Sequence, residues 1–393
     1  MIKKKRKMKT KPMNETIARL ERYVAYPTIS SNPIIEFASD LAQGAEDLGF
    51  RVQMIQSSPT KVNVLATAGP QEDSLVLSGH MDVVPTEGQN WTGDPFKLRQ
   101  LDGKLIGRGS CDMKGFIASV MTTMSGLQLD SLRRGLALVW THDEEVGCLG
   151  SQRFVESLPE LGYSLPKSVL IGEPTGMRFS RMHGGHTSLS VRIRGKAAHS
   201  SKPHLGCSAI KFAAAFIEQI SDLEQSWRNH PIHVEDKPCF PLIHVAQIEG
   251  GEAINIIPAL CTLRIGIRAM PSQDSLQLIE AVKDRLDNLS KRTEWNDIEA
   301  SLTVNQDAPP LHTCSGSPLE HCLSKQGCTD GGTLPFSTDG GWFSRADAQP
   351  IICGPGQIDV AHQPDEYISI SDLVQSDQML NRLLRHWTSS EVL

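Results

Sequence analysis

The amino-acid sequence predicts an α/β protein, in which a larger domain with a mixed sheet covered by helices on both faces is interrupted by a smaller α+β domain. The chain has 393 residues, more than one compact core usually holds. Outside residues 183–299, short apolar runs alternate with helical and Gly/Pro-rich segments, which is typical of a sheet buried on both faces. Within 183–299, apolar and polar residues alternate singly, which indicates strands buried on one face only.

Two helices open the predicted larger domain. The first begins at Asn14, a good N-cap residue, and places Ile17, Leu20 and Val24 on one face. The second shows the same helical periodicity over residues 34–48. Short apolar runs bounded by turn residues then predict the strands of the sheet, at residues 51–55, 62–67, 74–77, 135–141, 168–171 and 350–353.

The predicted smaller domain contains alternating strands and amphipathic helices. Strands are predicted at 189–194 and 263–268, and helices with one apolar face at 210–223 and 276–289. The pattern indicates a small α+β module whose sheet has one solvated face. We therefore predict three segments along the chain, which are a basic disordered tail at 1–13, the larger domain at 14–182 and 300–393, and the smaller domain at 183–299.

The formal net charge of −6 hides an asymmetry along the chain. Seven Lys and Arg residues lie within the first eleven positions, which leaves 32 basic against 45 acidic residues, a net charge of −13, in the remainder. An acidic body argues against nucleic-acid binding. No run approaches the ~18 apolar residues of a membrane span. The basic N-terminus is not followed by an apolar segment, so no secretion signal is predicted.

The nine cysteines form no C-x-x-C pair and no compact framework. In a chain of this size they favour reduced thiols in the cytoplasm. The sequence also lacks the G-x-S-x-G elbow, the G-x-x-x-x-G-K-[ST] phosphate loop, the G-x-G-x-x-G fingerprint and the H-E-x-x-H zinc motif. Serine hydrolysis and nucleotide binding therefore lose their usual support.

Acidic and His residues directly follow several predicted strands. His80 follows one strand, Glu144 and Glu145 follow a second, and Glu173 follows a third. The carboxyl ends of parallel strands share one rim of a sheet, and ligands bind at that rim. The sequence therefore predicts that these side chains converge.

Two further candidates join this predicted rim. Asp112 lies in a Gly-rich turn before a predicted helix, and His362 follows the last predicted strand. Converging carboxylates repel one another unless a cation neutralises them, so this set of ligands implies a divalent metal. Two zinc ions would exceed the charge of three carboxylates, Asp112, Glu145 and Glu173, by about one unit, which is enough to lower the pKa of a bridging water toward ~7.

The neighbouring pair Glu144 and Glu145 suggests a division of roles. Adjacent residues in an extended segment point in opposite directions, so one carboxylate can ligate metal while the other acts as general base. Asp82 lies two residues beyond His80 and is placed to accept the second N–H of that imidazole.

Six segments resemble motifs of the dinuclear zinc aminoacylase and carboxypeptidase family. The similarity is closest to its acetylornithine deacetylase branch, with succinyl-diaminopimelate desuccinylase nearby, and it covers nearly the whole chain from about Asn14. The segments are residues 78–85 (SGHMDVVP), 91–96 (WTGDPF), 107–115 (GRGSCDMKG), 143–147 (DEEVG), 172–174 (GEP) and 361–367 (AHQPDEY).

The resemblance implies two divalent metal ions, which we expect to be zinc, with cobalt able to replace it in vitro. It also implies a bridging ligand, two further ligands for each ion, a general base and a partner for one ligand. Asp112 would be the bridging ligand, His80 and Glu173 would bind one ion, and Glu145 and His362 would bind the other. Glu144 would be the general base, and Asp82 the partner of His80.

The same resemblance implies that the smaller domain is a lid and dimerisation domain. His199 would stabilise the oxyanion, in some dimeric relatives from the neighbouring subunit, with His204 as the alternative. Asn255 and Arg268 would bind the substrate carboxylate. Arg268 faces the solvated side of its predicted strand, where its fork of donors can hold a carboxylate.

The implied activity is metal-dependent removal of the acetyl group from N2-acetyl-L-ornithine or a similar N-acyl amino acid, a step of arginine biosynthesis. The alternatives within the family are succinyl-diaminopimelate desuccinylase, acetylcitrulline deacetylase and a metallo-exopeptidase. We expect a homodimer that acts on a small molecule, with no nucleic acid and no membrane as partner. A non-catalytic scaffold is the competing class, but every implied ligand and the general base are present.

Overall fold

The structure, a computed structural model, describes residues 11–389. The chain forms two compact units. The first comprises the described residues up to Met182, His312–Leu334 and those from Thr338 onward, and the second comprises His183–Leu311 with Pro335–Ser337.

Nine α-helices occur within the described residues. They are α1 (Lys11–Val24), α2 (Ile35–Asp47), α3 (Gly115–Met124), α4 (Leu149–Leu161), α5 (Ala209–Asn229), α6 (Ser275–Ser290), α7 (Pro318–Lys325), α8 (Gly340–Arg345) and α9 (Ile370–Ser389). A π-helical turn (Ser110–Lys114) precedes α3, and short 3-10 turns lie at Leu129–Ser131, Pro203–Leu205, Thr293–Trp295 and Ile358–Val360.

Twenty strands complete the described elements. They are β1 (Arg51–Ser58), β2 (Lys61–Ala68), β3 (Leu75–His80), β4 (Arg99–Leu101), β5 (Lys104–Ile106), β6 (Leu136–Thr141), β7 (Ser168–Pro174), β8 (Met182–His183), β9 (His186–Arg194), β10 (Ala198–His199), β11 (Ile232–Val234), β12 (Lys237–Cys239), β13 (Leu242–Gly250), β14 (Ile256–Ile257), β15 (Leu260–Arg268), β16 (Glu299–Ala308), β17 (Leu311–His312), β18 (Thr333–Leu334), β19 (Gln349–Gly354) and β20 (Tyr367–Ser369).

The first unit is built on a six-stranded mixed sheet in the order β1-β2-β6-β3-β7-β19. Strands β6, β3, β7 and β19 are parallel, and β1 and β2 are antiparallel additions at one edge. Every residue of β3 and β6 is buried, which explains why these strands read as continuous apolar runs rather than as alternating ones.

Helices cover both faces of this sheet, as the sequence predicts. On one face, Val64, Leu77 and Leu138 belong to a single apolar core with residues of α1, α2, α3, α7 and α9. On the other face α4 contacts β1, β2 and β6, and α8 contacts β19. These two helices meet through Phe154 and Phe343, whose rings pack edge to face at a centroid distance of 5.9 Å. The predicted α/β class is confirmed.

The first helix begins earlier than predicted. Helix α1 starts at Lys11, so Asn14 lies inside the helix rather than at its N-cap. The physical reason is that Pro12 is compatible with a first helical turn, where its missing N–H would have no partner in any case. Residues 11–13 of the predicted disordered tail are therefore helical, and residues 1–10 lie outside the described part of the chain.

The second unit is built on an antiparallel sheet in the order β13-β15-β9-β16. Leu189, Val191 and Ile193 point from β9 into an apolar core that α5 and α6 complete. On the opposite face of the sheet, Asn305 Nδ2 donates to Ser190 Oγ at 2.8 Å. One face is thus apolar and the other polar, as the alternating sequence predicts.

The predicted return to the larger domain at residue 300 is wrong. Strand β16 pairs with β9, with Leu302 opposite Val191, and it forms one edge of the second unit's sheet. The second unit therefore extends to Leu311. Side-chain pattern alone could not separate this strand from those of the larger domain, because it differs only in its pairing partner.

No helix within residues 11–389 combines the length and the apolar character needed to cross a bilayer. All nine cysteines are free thiols, in agreement with the absence of a disulfide framework in the sequence.

Candidate metal centre

Three adjacent parallel strands bring the predicted ligands to one rim of the first unit's sheet. His80 is the last residue of β3, and Glu173 lies near the end of β7. Glu144 and Glu145 follow β6. Because β3 lies between β6 and β7 in the sheet, these side chains converge, as the sequence predicts.

Two glycines allow residues before and at the start of α3 to pack closely against these strand ends. A Cβ atom on Gly79 would lie 2.7 Å from Met113 Cε, and one on Gly172 would lie 2.0 Å from the ring of Phe116. Both contacts are closer than real Cβ atoms adopt, so a side chain at Gly172 would displace the Phe116 ring at the start of α3, and one at Gly79 would displace the end of the Met113 side chain. The residues directly before His80 and Glu173 are therefore glycines for reasons of space.

The π-helical turn places Asp112 between two imidazoles. The turn follows Gly109, whose φ of 77° is left-handed, and the peptide bond between Asp112 and Met113 is cis. Asp112 Oδ1 lies 2.9 Å from His80 Nε2, and Asp112 Oδ2 lies 3.2 Å from His362 Nε2. The two oxygens of one carboxylate thus face two different histidines.

These contacts define two clusters that share Asp112. The first contains His80, Asp112 and Glu173, and the second contains Asp112, Glu145 and His362. In each cluster the candidate ligand atoms lie within 4.8 Å of one another. His80 Nε2 is 3.8 Å from Glu173 Oε1, and His362 Nε2 is 3.0 Å from Glu145 Oε2.

Imidazole nitrogen and carboxylate oxygen are the ligands that zinc and other borderline divalent ions take. Each cluster supplies one imidazole, one carboxylate of its own and one oxygen of Asp112. The residues present therefore fit a pair of divalent ions bridged by Asp112.

Like charges dominate the electrostatics of this rim. Burial and the charge of Asp112 raise the pKa of Glu145 to about 7, and burial with the same charge raises the pKa of Glu173 well above its usual range. Burial also raises the pKa of Glu144, and the charges of Glu173 and Glu145 add to this effect. In the absence of a cation, burial and mutual repulsion therefore favour the protonated form of these carboxyl groups.

The two histidines respond in the opposite direction. Hydrogen bonds to Asp112 and Glu145 raise the pKa of His362 to about 10. Burial lowers the pKa of His80, but the hydrogen bond to Asp112 and the charge of Glu173 raise it more, so it lies well above its usual range. Without metal, protonated imidazoles therefore supply the positive charge that the carboxylates require.

Glu144 and Glu145 occupy different positions although they are neighbours. Glu145 belongs to the second cluster, whereas Glu144 belongs to neither cluster. Cys148 Sγ donates to Glu144 Oε1 at 3.6 Å. This separation is what the sequence predicts for one ligating and one free carboxylate.

The predicted contact of Asp82 with His80 is wrong in its detail. His80 Nδ1 lies 2.9 Å from the backbone oxygen of Asp82 and 3.7 Å from its carboxylate, which is too long for a hydrogen bond. The Asp82 carboxylate instead accepts from the backbone N–H groups of Glu144 (3.0 Å) and Glu145 (3.3 Å) and from Ser30 Oγ (2.7 Å). Asp82 therefore orients the loop after β6, while its backbone orients the imidazole.

Three buried charged residues of this region were not among the predicted site residues. Asp339 is buried, and its Oδ2 accepts from Thr141 Oγ1 at 2.6 Å, at the end of β6. Arg108 and Glu366 form a buried ion pair at 2.7 Å. Both members of that pair lie inside segments that resemble family motifs, and this was the only signal that the sequence offered for them.

The second unit brings His199 and Asn255 close together. Strand β10 pairs with β14, with His199 opposite Ile256, and the backbone N–H of Ser200 donates to Asn255 O at 2.9 Å. His199 Nδ1 accepts from the backbone N–H of Ser201 at 3.1 Å. A neutral His199 therefore carries its proton on Nε2, which leaves an exposed N–H donor. The alternative residue, His204, is exposed in a 3-10 turn.

Arg268 lies at the other end of this sheet. It is the last residue of β15, and eight steps of extended strand, about 26 Å, separate it from Leu260, where the chain arrives from Asn255. Its guanidinium is exposed and has no hydrogen-bond or ion-pair partner within residues 11–389. Burial lowers the pKa of the nearby His186, and the charge of Arg268 lowers it further.

A family model and several known proteins match this chain. The model described as peptidase family M20/M25/M40 matches residues 76–386. The acetylornithine deacetylase of Pasteurella multocida (strain Pm70) is 33% identical over 381 residues, which cover 92% of this chain and 95% of that protein. The acetylornithine deacetylase of Erwinia tasmaniensis is 32% identical over 394 residues, which cover 97% of this chain and 99% of that protein.

Solved structures share the fold at lower identity. The M20 family metallo-carboxypeptidase Sso-CP2 from Sulfolobus solfataricus superposes with a TM-score of 0.71 at 19% identity, over 95% of this chain and 99% of that one. Aminopeptidase PepT from Bacillus cereus superposes with a TM-score of 0.70 at 17% identity, over 95% of this chain and 98% of that one.

Metal removal should make the pH dependence of stability between pH 5 and 7 more negative. The pKa of Glu145 rises from 4.5 to about 7 on folding without metal, so the folded state loses stability as pH rises through this window. Glu144 and Glu173 act in the same direction. Metal binding requires deprotonated ligands and strengthens over the same window. As pH rises from 5 to 7, the unfolding temperature of the metal-free protein should therefore fall relative to that of the metal-loaded protein.

Thermal unfolding at several pH values, with and without a chelator, measures this difference. Asp377, whose pKa burial raises to about 6, also titrates in the window, but it affects both forms equally and cancels in the comparison. Glu145→Gln should flatten the metal-free slope. Parallel curves for the two forms would contradict the electrostatic account of the site.

Proposed function

Because the chain belongs to peptidase family M20/M25/M40 and is a metal-dependent hydrolase of amide bonds, we propose that it removes the acyl group from an N-acyl amino acid, with N2-acetyl-L-ornithine as the first candidate. The observation that carries this proposal is the Asp112 carboxylate, whose two oxygens each face a different ligand cluster. The names of the two relatives support the choice of substrate.

We propose zinc in both positions, with cobalt able to replace it in vitro. His80, Asp112 and Glu173 would hold one ion, and Asp112, Glu145 and His362 the other. When bound, the ions polarise the amide carbonyl and lower the pKa of a water molecule toward ~7. The positive charge also offsets the repulsion that raises the pKa values of the Glu residues in the metal-free site.

Glu144 would act as the general base and then as the general acid. It lies at the rim with the ligands but outside both clusters, so its carboxylate is free to exchange a proton. It would take a proton from the attacking water and deliver it to the nitrogen of the departing amino acid. Asp82 supports this role because it accepts the backbone N–H of Glu144 and so fixes the base relative to the ligands.

His199 would stabilise the negative charge that develops on the carbonyl oxygen. The two contacts from Ser201 to Nδ1 hold the ring with Nε2–H outward, which is the donor that an oxyanion requires. Asn255 lies beside it and can contact the same substrate. Its side-chain amide has no hydrogen-bond partner within the described residues.

Arg268 would bind the α-carboxylate of the substrate. Its five donors match a carboxylate, and no group within the described residues competes for them. Arg268 and the pair His199 and Asn255 occupy opposite ends of β15. An acetylated amino acid is too small to contact both ends of one strand. We therefore propose a homodimer in which His199 and Asn255 serve the active site of the other subunit.

The substrate side chain is the least constrained part of the proposal. An N-succinyl substrate carries a second carboxylate. Arg268, the one cation assigned to the substrate, is already the partner of the α-carboxylate, and this favours the acetyl compound. A place in arginine biosynthesis follows from the names of the relatives. The nine free thiols support a cytoplasmic location.

Substitutions at the neighbouring residues Glu144 and Glu145 should have different effects. Glu144→Gln should retain two ions per chain and lower kcat by at least ~100-fold, because it removes the general base without removing a ligand. Glu145→Gln, the matched control, should lower the metal content toward one ion per chain. Elemental analysis after gel filtration, combined with steady-state kinetics, measures both. Equal metal loss in the two variants would contradict the division of roles.

His199→Ala should lower kcat far more than it changes KM, because the oxyanion contact forms mainly in the transition state. His204→Ala is the control and should have little effect. When the His199→Ala and Glu144→Gln proteins are mixed and allowed to exchange subunits, activity should recover to about one quarter of wild type, since half of the dimers are mixed and each has one intact site. No recovery would place His199 in its own chain's site.

A substrate panel tests the proposed activity directly. N2-acetyl-L-ornithine should be hydrolysed faster than N-acetylcitrulline, N-succinyl-diaminopimelate and a dipeptide. Its α-carboxamide should be a poor substrate, because Arg268 would then lack its partner. Faster turnover of the succinyl compound, of acetylcitrulline or of the dipeptide would identify the activity as desuccinylase, acetylcitrulline deacetylase or exopeptidase. Equal turnover of the amide would remove the role of Arg268.

A further inference from the structure

Glu366 uses both of its carboxylate oxygens inside the protein, four residues after His362. Oε1 accepts from the backbone N–H groups of Cys111 at 2.9 Å and Asp112 at 3.1 Å. Oε2 accepts from Arg108 Nη1 at 2.7 Å. Both side chains of the ion pair are only 1% exposed. One buried carboxylate thus contacts the turn that carries Asp112 from within the loop that carries His362.

Arg108 extends this contact to the backbone of His362. Its Nη2 donates to Gln89 Oε1, and Gln89 Nε2 donates to the backbone oxygen of His362 at 2.8 Å. The guanidinium also lies 5.0 Å from the centre of the Trp91 ring. Arg108 is therefore joined to Asp112 through Glu366 and to His362 through Gln89.

We propose that Glu366 and Arg108 are a pair of positioning residues that hold Asp112 and His362 in register for the two metal ions. This inference rests on the metal binding that is part of the proposed function. It assigns the two residues no contact with substrate or with the ions.

The chemistry of the pair favours this role over simple packing. A second buried carboxylate beside Asp112 is electrostatically unfavourable. Well-packed apolar residues would fill the same space without that penalty. A carboxylate, however, accepts the two backbone N–H groups of the Asp112 turn with one oxygen and the Arg108 guanidinium with the other. A Gln side chain has one acceptor oxygen, so its NH2 group would face a donor at one of these two positions.

The geometry also explains why the pair would affect both ions. Asp112 is the one residue that the two clusters share. A shift of its backbone moves both oxygens, so it disturbs the contact with His80 and the contact with His362 together. Loss of a residue that orients a ligand typically weakens metal binding ~10- to 100-fold.

The test compares Glu366→Gln with Asp365→Asn, a matched control in the same loop. Asp365 accepts from Thr92 and from Arg99 Nη2 at 2.8 Å, and its side chain is 29% exposed. Zn²⁺ affinity is measured by competition with a chromophoric chelator, and Co²⁺ absorption reports ligand geometry. Glu366→Gln should weaken both ions ~10- to 100-fold and alter the Co²⁺ spectrum. Asp365→Asn should stay within about twofold of wild type.

Two outcomes would overturn the proposal. One is wild-type affinity and an unchanged Co²⁺ spectrum in Glu366→Gln. The other is an equal loss in Asp365→Asn, which would show general loosening of the loop. If Glu366→Gln does not fold, Arg108→Lys replaces it, because Lys keeps the charge but loses the second contact through Gln89. It should show a smaller loss in the same direction, and unchanged metal binding in this variant would overturn the proposal as well.

The same titration separates this inference from the proposed function. If the unaltered protein binds no zinc, the metal-dependent function itself fails. If the unaltered protein binds two ions and Glu366→Gln binds them equally well, only the positioning role fails.

Discussion

The mutual repulsion of carboxylates at one rim of a buried sheet is the constraint on which the rest of the first unit depends. Asp112, Glu144, Glu145, Glu173 and Asp339 all lie where β3, β6 and β7 end or close to those ends. Such an arrangement is stable only if positive charge or hydrogen-bond donors reach each group. Two imidazoles supply positive charge at the centre, and the metal ions of the proposed function would add to it. Backbone N–H groups and Arg108 supply donors around it.

Buried strands fix the positions from which the side chains at this rim project. Strands β3 and β6 are buried along their whole length, so the positions of their carboxyl ends are fixed by packing on both faces. Met113 of the turn before α3 packs against Gly79, and Phe116 of α3 packs against Gly172, which brings Asp112 to the strand ends. Candidate ligands from five separate chain segments thus meet at this rim.

The sequence predicted the parts of this arrangement that carry a local signal. An acidic or His residue directly after an apolar run can be recognised without knowledge of its partners, so His80, Glu145 and Glu173 could be identified one by one. The pairing of Arg108 with Glu366 could not, because 258 positions separate them and neither residue follows a strand of the main sheet. The predicted contact between the Asp82 carboxylate and His80 was wrong for a related reason. A choice between a backbone and a side-chain acceptor depends on differences below 1 Å, which residue order does not specify.

In the second unit, one sheet separates the residues to which we assign roles in a single reaction. His199 and Asn255 adjoin one end of β15, and Arg268 terminates the other. Each position suits its chemistry, since a fixed Nε2–H donor and an unpaired guanidinium are both prepared for anionic oxygen. The length of a nine-residue strand nevertheless prevents one small substrate from reaching both ends. If all three residues act in one active site, as we propose, that site would combine two copies of this unit, and activity would then depend on dimerisation.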